Sequence, residues 1–149
     1  MRSIVTVVAG GLLLGTAAHT LSWRHAMAEG ALAFGSTGDI LKDGFAFGYA
    51  NNWRTSEKAA AEALRQCQTF KDAKKAAAKC KVVATYRREC VAVAFDPKIS
   101  KGGVGWAVGP SEEAVKARAV AACQGTADAG RAQFCKVDKF YCDTKDEND

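Results

Sequence analysis

Residues 55–90 read TSEKAAAEALRQCQTFKDAKKAAAKCKVVATYRREC, and their order decides the fold. Thr55 is suited to cap a helix, because its hydroxyl accepts an orphan backbone N–H, and Glu57 lies in the first turn, where the helix dipole favours an anion. Ala59, Ala60, Ala63, Leu64 and Cys67 recur at steps of three and four residues, which marks one buried helix face. Lys71 to Lys79 continue with helix formers under a cationic bias. Lys81 to Tyr86 is rich in β-branched residues and reads as a strand, and Arg87-Arg88-Glu89 reads as a turn.

A shortened copy of this pattern returns at Ser111 to Cys142. Ser111-Glu112-Glu113 matches Thr55-Ser56-Glu57, and each cap lies 12 positions before a cysteine, Cys67 or Cys123. Both helices end in Cys-Gln. Cys135-Lys136-Val137 matches Cys80-Lys81-Val82, and Cys142 is matched to Cys90. Upstream, Ala31-Leu32-Ala33-Phe34 is echoed by Cys90-Val91-Ala92-Val93-Ala94-Phe95, and Gly44 to Gly48 by Gly105-Trp106-Ala107-Val108-Gly109. Phe45 and Phe47 alternate with small residues, as in a half-buried strand. Turn formers between about Gly35 and Asp43 join the first two strands into a hairpin.

The expected fold is α+β, built from two strand–strand–helix–strand units with an antiparallel or mixed sheet and two main helices. Two copies are too few for a solenoid, so the duplication predicts one pseudo-twofold domain over residues 29–142. Its halves cover about 30–89 and 90–142, followed by an acidic tail at 143–149.

Several of these blocks carry a resemblance. Gly30-Ala31-Leu32-Ala33-Phe34-Gly35, Gly44-Phe45-Ala46-Phe47-Gly48, Cys80-Lys81-Val82-Val83, Cys90-Val91-Ala92-Val93-Ala94 and Gly105-Trp106-Ala107-Val108 resemble a secreted bacterial family catalogued as domain of unknown function 4189. The resemblance implies export and a small cysteine-containing domain. It supplies no catalytic residue.

The N-terminus reads as an address. Arg2 precedes an apolar run from Ile4 to Ala18, and Ala26-Met27-Ala28 offers a small-x-small site with cleavage before Glu29. A cut after Ala18 and an uncleaved anchor stay open as alternatives. Removal of residues 1–28 takes away Arg2, Arg24 and both histidines, His19 and His25, and leaves all six cysteines. The expected location is periplasmic or secreted, with no transmembrane span after cleavage.

An even set of cysteines behind such a signal reads as a disulfide framework. The alternative is a zinc site, but the cysteine spacings contain no C-x-x-C knuckle, and no metal or other cofactor is expected. Six cysteines allow about fifteen connectivities. A pairing that respects the duplication is Cys67–Cys80, Cys123–Cys135 and Cys90–Cys142, the last joining the two copies. Each loop of 12 or 13 residues then contributes about 3 kcal/mol on the chain-entropy model.

Loss of histidine removes Ser-His-Asp and Cys-His catalysis, which need an imidazole to take the nucleophile's proton. Ser100-Lys101 are adjacent on a loop, which says nothing about a Ser-Lys geometry. Carboxylate chemistry survives: Asp39 and Asp43 share the first hairpin loop and are weak candidates for acid–base work, against a bland reading as turn formers. The chain therefore leans away from enzymes.

The more distinctive feature is cationic. Lys71, Lys74, Lys75 and Lys79 crowd together, with Arg65, Lys81, Arg87 and Arg88 nearby in sequence. Such a face suits an acidic protein or an anionic envelope polymer, against the plainer reading of solvated lysines. No nucleic-acid module is present. Phe34, Phe45, Phe47, Phe95 and Trp106 are expected in the core, whereas Trp53 and Tyr49 are candidates for exposed contacts. The expected function is an exported binding module: an inhibitor, an immunity-type protein or an envelope-associated binder. The alternative is a carboxylate-dependent hydrolase of a cell-envelope polymer.

Overall fold

A computed structural model describes residues 29–98 and 102–142. The expected signal segment, Ser100-Lys101 and the acidic tail lie outside the described residues. Strands β1 (Glu29–Ser36), β2 (Phe45–Trp53) and β3 (Lys81–Tyr86) form one sheet in the order β2-β1-β3, and β4 (Cys90–Phe95), β5 (Val104–Gly109) and β6 (Lys136–Cys142) form a second in the order β5-β4-β6. Every pairing is antiparallel. Two helical turns, α1 (Ile40–Asp43) and α3 (Lys74–Ala77), fill connections, and the long helices α2 (Ser56–Gln68) and α4 (Glu112–Thr126) each cover one sheet. The fold is α+β with a duplicated unit.

Strand alternation explains the layering. On β1 and β2, Ala31, Ala33, Ala46 and Ala50 face α2, where they pack on Ala59, Ala63 and Cys67. On β4 and β5, Cys90, Ala92, Ala94 and Ala107 face Val115, Ala119 and Cys123 of α4. The intervening large residues, among them Leu32, Phe45, Val91, Val93 and Val104, form one apolar layer between the sheets. The order of layers is therefore helix, sheet, sheet, helix. Small side chains on the outer faces let the helices sit close, and large ones fill the middle.

Two glycines show how close the helices sit. A Cβ on Gly48 would lie 2.2 Å from the Ala63 carbonyl oxygen, and one on Gly105 would lie 2.2 Å from the Cys123 amide nitrogen and 2.4 Å from the Ala119 carbonyl oxygen. These glycines occupy equivalent places, which shifts the sequence-based alignment by four residues. Leu32 pairs with Tyr49 and Val93 pairs with Trp106, so Tyr49 and Trp106 are counterparts. Tyr49 belongs to the inter-sheet layer and is not a free surface contact.

Both central strands carry the same irregularity. The register slips between Leu32 and Ala33 against β3, and between Val93 and Ala94 against β6, leaving Val83 and Asp138 as the extra residues of two β-bulges. Disulfides join Cys67 to Cys80 and Cys123 to Cys135, both with Cα atoms 5.9 Å apart, and Cys90 to Cys142. The last does not bridge the copies. Cys90 opens β4 and lies directly opposite Cys142 on β6, so the bond closes the second sheet on itself.

The strand directions define two poles. The Phe45 ring lies 6.2 Å from Phe34 and 5.6 Å from Phe95, while Tyr49, four residues further along β2, meets Val91 and Val93. β2 therefore runs against β4, and β1 runs with it. The C-terminal ends of both central strands share one pole, together with α1, α3 and the turn before β6. Trp53, the starts of α2 and α4, Arg87 and the Cys90–Cys142 bond lie at the other.

Candidate functional site

The two hairpin carboxylates are occupied locally. Asp39 caps α1, its Oδ1 accepting the Lys42 amide at 3.0 Å. Asp43 accepts the Thr37 hydroxyl at 2.9 Å and the Lys75 ammonium at 3.0 Å, and the Lys75 hydrogen bond foremost holds its carboxyl below the ordinary carboxylate value. General-acid work needs the opposite shift, a carboxyl kept protonated by desolvation. Among the described residues every resolved carboxylate shift is downward.

The basic segment is less helical than its composition suggests. Only Lys74 to Ala77 form a helical turn, because α2 ends at Gln68, where Thr69 and Phe70 turn back onto the carbonyls of Arg65 and Cys67. Ala73, Ala76 and Ala77 are buried against the first sheet, leaving Lys71, Lys74, Lys75 and Lys79 exposed. Lys75 is spent on Asp43; Lys71, Lys74 and Lys79 project from the same pole beside Lys81. Trp53 does not join them. It is 37 % exposed, but it ends the nine-residue strand whose start adjoins α3. At ~3.3 Å per residue the two features stand about 26 Å apart.

The second half carries a different construction at the same pole. Asp96 is fully buried and receives a bidentate contact from Arg131: Nε to Oδ2 at 2.6 Å and Nη2 to Oδ1 at 2.5 Å. The Lys98 amide adds a third donor at 3.0 Å. These bonds, Arg131's foremost, hold the Asp96 carboxyl below its ordinary value, and Asp96 in turn raises Arg131. The Arg131 guanidinium lies 4.2 Å from the centre of the Phe134 ring, and Phe134 is 47 % exposed. Asp96, Pro97, Arg131, Gln133, Phe134 and Lys136 line a cavity of about 310 Å³.

The sequence blocks stop at Phe95 and assign neither Asp96 nor Arg131 a role. The missed signal is a difference between the copies. Asp96 stands where the first half has Gly35, whose Cβ would strike the Ala76 carbonyl oxygen at 2.3 Å. In the first half α3 packs into that space; in the second half the ion pair fills it and leaves a cavity at its mouth. Gly102 permits this, since a Cβ there would meet the Asp96 side chain at 2.3 Å.

A further crevice, between Tyr49 on one sheet and Val91, Val93 and Tyr141 on the other, encloses about 10 Å³. That is room for one water at most. Among the described residues no helix is long and apolar enough to cross a membrane.

A family model described as Domain of unknown function (DUF4189) matches residues 30–142. No curated protein and no solved structure matches the chain.

Proposed function

Since the chain belongs to the family described as domain of unknown function DUF4189, whose description specifies no chemistry, we propose from the site itself that it is an exported binding module with an anionic partner. The single supporting observation is the pole at which Lys71, Lys74 and Lys79 stand exposed on a segment anchored by buried alanines, a disulfide and the Lys75–Asp43 pair. Anchoring the backbone reduces the ordering needed on binding, and like charges held together attract a polyanion. Export rests on the N-terminal sequence and on three disulfides suited to an oxidising compartment.

The hydrolase alternative finds little support in Asp39 and Asp43, one engaged as a cap and the other held ionised by Lys75.

The test uses immobilised poly-glutamate and a variant with Lys71, Lys74 and Lys79 all changed to Glu. Lys75 is kept, because it holds Asp43. With each lysine near a polyanion worth roughly 1 kcal/mol, the variant should bind at least about tenfold more weakly at low salt. Equal retention of both proteins would overturn the lysine face.

A further inference from the structure

We propose that the cavity beside Asp96 and Arg131 is a second binding site, and that it takes a carboxylated sugar residue. This rests on the binding-module reading and narrows it to a ligand class, but it uses none of the same lysines.

The cavity of about 310 Å³ stands at the small end of the range for ligand pockets, roughly 300–1,000 Å³, and so fits a single ring. Its chemistry is asymmetric. Arg131 is fixed on one side by the buried Asp96 and on another by the Phe134 ring, so its fork is held in one orientation before any ligand arrives. A guanidinium has about five N–H donors, and Asp96 takes two of them. Those remaining suit the two oxygens of a carboxylate.

Charge points the same way. Asp96 offsets Arg131, Lys136 is exposed on the cavity wall, and exposed Lys98 is close enough for its charge to act on Asp96, so the mouth is net positive. A net positive mouth favours an anion, and its hydroxyl-binding and apolar walls separate a carboxylated sugar from a bare phosphate. Gln133 supplies both a donor and an acceptor for hydroxyls. Phe134 turns one face to Arg131 and remains 47 % exposed, which offers an apolar platform to the C–H face of a pyranose ring. One wall binds charge, one binds hydroxyl and one binds the flat face of a sugar. An acidic sugar has all three.

The test is a chemical-shift titration of the full protein with D-glucuronate, with glucose, acetate and inorganic phosphate as comparisons. Glucuronate should shift the amides around Arg131, Phe134 and Lys136 saturably and bind at least about tenfold more tightly than any of the three comparisons. Phe134→Ala and Lys136→Gln change exposed side chains and should each weaken glucuronate binding at least threefold with the unfolding midpoint unchanged, the threefold being an effect of about 0.6 kcal/mol. Acetate or phosphate binding as tightly as glucuronate, no saturable glucuronate response, or unaltered binding by both variants would each overturn the assignment. If glucuronate fails while poly-glutamate is still held through Lys71, Lys74 and Lys79, this site falls alone. If poly-glutamate binding fails as well, the broader reading falls with it.

Discussion

Glu29 and Arg87 form an ion pair of 3.7 Å at the open ends of β1 and β3, and this pair stands where the Cys90–Cys142 disulfide stands in the second sheet. Glu29 precedes Gly30, which pairs with Tyr86, just as Cys90 precedes Val91, which pairs with Tyr141. One equivalent contact position thus carries a charge pair in one half and a covalent bond in the other. An exposed ion pair contributes little, about 0–1 kcal/mol, whereas a bond closing a loop of this length contributes about 4 kcal/mol on the chain-entropy model.

The equivalence predicts that a Glu29→Cys, Arg87→Cys double variant forms a fourth disulfide during oxidative folding. Peptide mapping should find it, with an unfolding midpoint above that of the parent. Two free thiols in the oxidised variant would show that the ends of β1 and β3 do not match those of β4 and β6.

The glycines under the helices give a packing prediction. Gly48→Ala and Gly105→Ala place a methyl group against helix backbone that cannot swing aside, and each should cost about 1–3 kcal/mol or more in denaturant unfolding. Gly125 has nothing within 4 Å of a Cβ and lies within α4. Gly125→Ala should therefore stabilise, by up to about 1 kcal/mol. Equal behaviour of the three variants would contradict the close approach of the helices.

Phe45 makes the case for the middle layer. It is 2 % exposed and its ring neighbours Phe34 and Phe47 in its own sheet and Phe95 in the other. Phe45→Ala should cost about 3–5 kcal/mol, with one cooperative transition lost from both halves together. A change below about 1 kcal/mol would mean that the sheets do not depend on each other through this ring.

Acid sensitivity follows from the carboxylates. Hydrogen bonds from Arg65, and next from Gln66, lower Glu62 from an ordinary 4.5 to about 2. A depressed folded value means stability present above pH 4.5 and lost as pH falls towards about 2. Asp43 and Asp96 are lowered too and act with the same sign. Glu62→Gln should therefore lower the thermal midpoint at pH 7, with the difference shrinking as pH falls through that window. A difference that does not change with pH would contradict the assignment.

Much of the fold was legible because its signals are local. Thr55 and Ser111 do cap α2 and α4, each hydroxyl accepting an amide three residues on, and the alternation of small and large residues names the faces of β1, β2, β4 and β5. The correspondence between β2 and β5 was not legible. Glycines recur at both ends of these segments, and only the strand register and the helix backbone above them show that Gly48, not Gly44, matches Gly105. Trp53 and the lysines stand apart for a similar reason: Trp53 lies only 18 residues before Lys71 in sequence, but it ends β2 at the pole opposite α3. Asp96 and Arg131 are 35 residues apart, and no periodicity connects them. Their pairing is a tertiary fact, visible beforehand only as a place where the halves disagree.

The central claim is that two related units each close their own sulfur bonds around a shared apolar middle. Peptide mapping of the unreduced protein tests it most directly. It should find Cys67 with Cys80, Cys123 with Cys135 and Cys90 with Cys142, and no free thiol. A bond from Cys67 or Cys80 to any cysteine of the second unit, or a single unpaired sulfur, would contradict it.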